Sequence, residues 1–124
     1  MKDGINVSES GDLFIVRNEK LHCEDGPAII WSDGSYEWYL NGLKHRTDGP
    51  AVERSDGTKF WYLNNKLHRE DGPAIVWADG HRYWYLNGAE IKKREFDKYL
   101  EKIDRNNNQQ SIFASKQFSK IGKM

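Results

Sequence analysis

Three histidines, His22, His45 and His68, stand 23 residues apart, and three aspartates, Asp25, Asp48 and Asp71, keep the same interval. Imidazoles and carboxylates are the materials of metal sites and of acid–base pairs, so the interval decides which chemistry is open to them. If each interval is one β-hairpin, equivalent positions lie two strands apart, roughly 10 Å at ~4.8 Å per strand. Two ligands of one zinc must each come within ~2.1 Å of it. The histidines therefore cannot share an ion, and the aspartates cannot form one catalytic carboxylate group. Each histidine is expected to be structural, hydrogen-bonding the corner of its own unit. Cys23 is the only cysteine, which excludes an intrachain disulfide and a four-cysteine zinc site. Ser35 lies in an Asp-Gly-Ser turn with no residue to activate it. With no nucleophile and base pair and no phosphate loop, the expectation is a protein without catalytic, metal or cofactor sites.

The interval belongs to a longer repeat. "DGPAIIWSDGSYEWYLNG" at Asp25 returns as "DGPAVERSDGTKFWYLNN" at Asp48 and "DGPAIVWADGHRYWYLNG" at Asp71, without insertion or deletion. Asp-Gly at 33/34, 56/57 and 79/80 separates two β-rich runs, and Asn-Gly at 41/42 and 87/88 follows the second; both dipeptides suit tight hairpin turns. Asn64-Asn65 keeps the middle turn feasible. In the second run Tyr36, Trp38 and Leu40 alternate with Ser35, Glu37 and Tyr39, so one face carries Trp38, Trp61 and Trp84 and the other Tyr39, Tyr62 and Tyr85. Pro27, Pro50 and Pro73 lack a ladder donor and mark a turn or bulge where each strand starts. "SGDLFIVRNEKLH" aligns as a half unit ahead of the first complete one.

These features predict a mainly β fold: a single antiparallel sheet of tandem 23-residue hairpins, with a half repeat at 10–22 and full repeats at 23–45, 46–68 and 69–91. The array occupies 1–91, and 92–124 follows a different rule. Phe96, Tyr99, Leu100 and Ile103 fall at helical spacing, predicting a helix over 93–104 that caps the last repeat. "NNNQQ" is expected to end it, with a weaker pattern of Ala114, Phe118 and Ile121 after Ser111.

A 23-residue hairpin repeat with turn glycines, an aromatic strand and a histidine soon after the turn resembles the MORN repeats. "LHREDGPAIVWADGHRYWYLNG" looks more closely like a MORN-related variant of bacteriophage and some bacterial proteins. The resemblance covers about residues 10–91 and implies an elongated twisted sheet that scaffolds or binds other macromolecules without catalysis. It also implies a small phage-encoded, host-directed or counter-defence binder that inhibits its target in the host cytoplasm.

Composition is polar, 37% hydrophobic and 31% charged, yet 13% aromatic content is far too rich for a disordered chain. The opening "MKDGINVSESGD" has no apolar signal-peptide core, and no apolar run is long enough to span a membrane, so a soluble cytoplasmic protein is expected. The net charge of zero divides unevenly, with about −1 over 1–22, −4 over 23–91 and +5 over 92–124.

Residues constant through every unit most economically serve a contact repeated in every unit. Function is then sought at the positions around the Asp-Gly turns that vary: Trp31, Tyr36, Arg54, Lys59, Trp77, His81 and Arg82. They mix aromatics with cations, the residue types of interface hot spots, and are expected to form a strip along one edge for a protein partner. The alternatives are that Trp31 and Trp77 pack under the helix, or that the partner is nucleic acid held by the basic C-terminal segment.

Overall fold

The computed structural model describes the backbone of residues 1–122 and the side chains of residues 1–108. Two units, Met1–Ile91 and Lys92–Met124, divide the chain. The first holds fourteen short strands in a fixed pattern. It opens with β1 (Gly4–Val7), β2 (Leu13–Arg17) and β3 (Lys20–Leu21). The first repeat contributes β4 (Ile29–Ile30), β5 (Tyr36–Glu37), β6 (Tyr39–Leu40) and β7 (Leu43–Lys44). The second contributes β8 (Val52–Glu53), β9 (Lys59–Phe60), β10 (Tyr62–Leu63) and β11 (Lys66–Leu67). The third contributes β12 (Ile75–Val76), β13 (Arg82–Leu86) and β14 (Ala89–Ile91).

Each repeat therefore makes two hairpins where one was expected. The Asp-Gly hairpins β4–β5, β8–β9 and β12–β13 join in order into a ten-stranded antiparallel sheet, with β1 and β2 ahead of them. The Asn-Gly hairpins β6–β7 and β10–β11 form small sheets of their own. The strand divides at the tryptophan because its two backbone groups turn to different neighbours. Trp38 N–H donates to Ala51 C=O of the next repeat (2.6 Å), while Trp38 C=O accepts from His45 N–H (3.2 Å). Trp61 repeats this with Ala74 and His68. In β2 and β13 the central residue gains a flanking partner, Ile5 for Ile15 and Ile91 for Trp84, and the strand runs unbroken. Strand β1 was not anticipated; a turn closed by Ser8 and Asp12 folds it back onto β2.

The turns follow their chemistry. Gly34, Gly57 and Gly80 sit at φ near +95°, at 93°, 94° and 96°, where a side chain would strain the backbone. The preceding aspartate accepts from the backbone N–H two residues on, 2.8 Å for Asp33–Ser35 and for Asp56–Thr58. At the Asn-Gly turns both central residues have positive φ, the twist that suits a two-residue hairpin, and Asn64-Asn65 manages it at 48° and 67°.

Alternation survives the break at tryptophan. Opposed residues give one face the row Phe14, Ile29, Glu37, Val52, Phe60, Ile75, Tyr83 and the other the row Leu13, Ile30, Tyr36, Glu53, Lys59, Val76, Arg82. The first row is the core face, with Val52, Phe60 and Ile75 buried together beside Tyr62, Leu67 and Tyr85. On the opposite face lie Trp38, Trp61 and Trp84. There Arg46 stacks on Trp38 and Arg69 on Trp61, each guanidinium 4.0 Å from the ring centre. Arg46 Nε donates to Asp48 (2.8 Å) and Nη1 to Pro50 C=O (3.1 Å); Arg69 does the same with Asp71 and Pro73. A Cβ on Gly49 or Gly72 would come within 2.9 Å or 2.8 Å of that guanidinium, which is why glycine precedes the proline.

The second unit carries α1 (Lys93–Gly122). It begins where periodicity placed it, with Lys93 paired to Asp97 one turn on (3.2 Å). Among the described residues Phe96, Tyr99, Leu100 and Ile103 are its least exposed side chains, Phe96 being buried. The helix does not stop at "NNNQQ". Asparagine and glutamine are weaker helix formers than alanine, but neither removes a backbone donor as proline does. The pattern expected at Ala114, Phe118 and Ile121 lies beyond the described side chains.

The Arg46 clamp supplies a stability test. Arg46→Ala should lower the unfolding free energy by about 2 kcal/mol, from one cation–π contact and its hydrogen bonds. Arg46→Lys should recover only part, because an ammonium cannot lie flat on Trp38 while donating from two nitrogens. Thermal unfolding checks this, and a lysine variant as stable as the parent would contradict it.

Candidate functional site

The core face is largely aromatic and aliphatic along the array, and its charged residues gather mainly in the first and second repeats. Tryptophan occupies positions 31 and 77, and each packs edge-on against the phenylalanine of the preceding strand pair, Trp31 on Phe14 (5.6 Å, 87°) and Trp77 on Phe60 (5.4 Å, 86°). Between them the equivalent pair is Arg54 and Glu37. A third equivalence adds Lys44, which faces Tyr39 across its hairpin where Leu21 faces Val16 and Leu67 faces Tyr62; in the last repeat Glu90 faces Tyr85 in this column. Three core-face columns thus turn charged in the same neighbourhood.

The result is an open groove of about 590 Å³, lined by Trp31, Glu37, Lys44, Arg54, Phe60 and Tyr62 among others. Its acid is held. Glu37 accepts from Trp31 Nε1–H and from Tyr39 O–H, both at 2.8 Å. Its bases are not: among the described residues no carboxylate oxygen lies within 4.0 Å of Lys44 Nζ or the Arg54 guanidinium. Lys44 Nζ instead sits 5.1 Å from the Tyr62 ring centre, and Arg54 Cζ sits 4.9 Å from Phe60 and 5.8 Å from Trp77. At the mouth, Asp33 and Asp56 are tied to their own turns and held below the usual carboxylate range, chiefly by backbone N–H of Ser35 and Thr58. Burial, then the hydrogen bond to Glu37, pushes the Tyr39 phenol above the usual tyrosine range. Burial likewise raises Tyr62, with Arg54 opposing it.

The structure divides the seven turn positions rather than placing them in one strip, because alternate residues of a strand face opposite ways. Trp31, Arg54 and Trp77 lie on the core face with the groove. Tyr36, Lys59 and Arg82 lie in the opposite row, where Lys59 pairs with Glu53 (3.6 Å) and Tyr36 accepts from Arg46 (3.4 Å), although Tyr36 also borders the groove. His81 is exposed in the last Asp-Gly turn, 2.9 Å from Asp79. A larger depression on the opposite face, about 630 Å³ between the Arg46 and Arg69 corners, is lined by groups already paired to one another.

The histidines are structural: each serves the following repeat through Nδ1, and Nε2 of His68 also meets Glu70 (3.3 Å) beside the Asp-Gly-Pro corner. Asn41 N–H donates to His22 Nδ1 (2.9 Å), Asn64 N–H to His45 Nδ1 (3.1 Å) and Asn87 N–H to His68 Nδ1 (2.9 Å). The turn that needs capping lies one hairpin further along, which a reading of one unit at a time does not reveal. Among the described residues, no three His, Cys, Asp or Glu side chains gather as a metal site would require, and no helix is long and apolar enough to cross a membrane. The chain matches no protein-family model, no curated protein and no solved structure.

Glu37 and Lys44 also vary between repeats, but Glu37 reads as the polar half of an alternating strand and Lys44 lies beyond the Asn-Gly turn. The signal was present: column by column, Glu37 stands among Phe14, Phe60 and Tyr83.

The raised tyrosines fix a pH dependence. A phenol that ionises less readily in the folded chain than in the unfolded one stabilises the fold below the unfolded value, and that contribution is lost as pH rises through it. As far as these phenols contribute, stability should hold at neutral pH and decline from about pH 10 upward. Denaturant unfolding at stepped pH reads this. In Glu37→Gln, which removes the charge beside Tyr39, ultraviolet absorbance should show phenolate appearing at lower pH. Unchanged phenol titration would contradict the assigned contact.

Proposed function

We propose that this chain is a non-catalytic, MORN-related repeat protein that binds another protein, and that the groove at Glu37, Lys44 and Arg54 is where the partner sits. One observation carries the reading. Three repeat columns turn charged together at Glu37, Lys44 and Arg54, and an open groove of about 590 Å³ lies there beside Trp31 and Phe60. A fold maintained by repetition gains nothing from such a gap. Binding does, since Trp, Tyr and Arg in a half-enclosed pocket are the usual anchors of an interface. A phage-encoded binder of a host protein is the setting that the resemblance implies.

The second reading, nucleic-acid binding by the basic segment, is favoured by the nine Lys/Arg against four Asp/Glu in 92–124. The two readings separate in one experiment. Lys44→Leu with Arg54→Trp restores residues the array uses at the same columns, so the double variant should fold with a melting temperature close to the parent's. Affinity capture from cells of origin should retain a discrete stoichiometric protein on the parent and not on the double variant. Retention of salt-labile nucleic acid, equal on both proteins and lost on removing 106–124, would replace this reading with the second.

A further inference from the structure

The groove's electrostatics specify what enters it. Cations that serve the fold have carboxylate partners: Arg46 with Asp48 at 2.8 Å, Arg69 with Asp71 at 2.9 Å, Arg17 with Glu24 at 3.3 Å and Lys59 with Glu53 at 3.6 Å. Lys44 and Arg54 are held over rings without one, on the adjacent rings of Tyr62 and Phe60, whose centres are 6.4 Å apart. Nearby carboxylates are committed: Glu37 to Trp31 and Tyr39, Asp33 and Asp56 to their turns. After the Thr58 hydrogen bonds, Arg54 also lowers the Asp56 carboxyl from a distance, but neither cation has a carboxylate oxygen within 4.0 Å among the described residues, and two such cations on neighbouring rings form half of a charge-assisted contact.

We infer that the occupant is an acidic segment of the partner protein, one that places an aspartate or glutamate carboxylate between Lys44 and Arg54 and an apolar neighbour against Trp31 and Tyr62. This rests on the protein-binding reading and names the chemistry of its anchor. A polyanion fits less well. Residues 23–91 hold seven Lys/Arg against eleven Asp/Glu, a net charge of −4, so the array's field opposes a nucleic acid at long range. A single carboxylate among apolar residues meets mainly the two near cations. The aromatic walls supply the apolar contact that a phosphate backbone would not use.

The probe is a displayed library of random peptides selected on the full chain, followed by calorimetry of the best peptide and of its acid-to-amide counterpart. The selected peptides should share an aspartate or glutamate beside an apolar residue, and the amide change should weaken binding by about tenfold or more. Lys44→Leu with Arg54→Trp should weaken it by a similar factor, and in that variant the amide change should cost nothing further. Lys44→Gln, which opens no new contact, should move affinity the same way if the repacked variant folds poorly. Peptides without an acid, or an amide peptide that binds as well, overturn the acidic anchor; if their binding still falls in the double variant, the protein-binding groove stands. Peptide binding indifferent to both variants overturns the anchor and the groove together. A selection that retains no peptide also overturns the anchor, leaving affinity capture to judge the groove. Displacement of the acidic peptide by single-stranded oligothymidylate at low concentration would overturn it in favour of a polyanion.

Discussion

No complete repeat of this array satisfies its own backbone. The N–H of Ile15, Trp38 and Trp61 finds its acceptor on Ala28, Ala51 and Ala74 of the following unit. The first N–H of each Asn-Gly turn finds its acceptor on the histidine of the preceding one. Beside the Asp-Gly turns, Ser32, Ser55 and Ala78 donate back to Asp12, Ser35 and Thr58. Each such bond adds about 0.5–1.5 kcal/mol net, so a repeat in isolation, its donors turned to water, lacks several contributions that a stacked one has. That dependence holds the period at 23 residues. One inserted residue between a histidine and the next turn would separate donor from acceptor at that step.

The same constraint decides which side chains are free. Where backbone bonds lock the alanine columns at 28, 51 and 74, all fully buried, no larger residue fits. The histidine, turn and arginine-clamp positions are similarly bound. Positions 37 and 54 carry no interrepeat backbone bond, and at position 44 the bond is made by the Lys44 C=O, which accepts from Asn65 N–H (2.8 Å), so all three side chains can change without breaking the register. The groove is built there, on a scaffold that the alanine and histidine columns and the arginine clamps hold, with Val52 and Phe60 of the core as part of its floor. A binding site then rests on strand residues held by both neighbours, which limits the ordering cost when a partner arrives.

Much of this was legible in the sequence because repetition shows which residues the geometry requires. The interval, both turn types and the two-faced alternation follow from Asp-Gly, Asn-Gly and the Trp/Tyr pattern, and the helix start follows from Phe96, Tyr99, Leu100 and Ile103. Long-range partners were harder to read. The split into two ladders turns on where a tryptophan's N–H and C=O point, and no side-chain pattern records that. His45 looks the same whether it caps its own corner or the next turn. The run at Asn106 misled because composition suggested a stop where no residue forbids continuation. At the site, Trp31, Arg54 and Trp77 were found by variation, whereas Glu37 passed as the polar half of an alternating strand, although its own strand faces it inward.

The account depends most on bonds that cross from one repeat to the next, and His45 offers the cleanest access to one of them. Native-state amide exchange of the parent and of His45→Ala, followed residue by residue, reads that bond directly. The account predicts that Asn64 N–H, in the following repeat, loses protection first and that amides on both sides, Trp38 and Trp61, exchange faster with it. Loss of protection confined to residues 23–45, with Asn64 unchanged, would contradict it and return the histidine to its own corner.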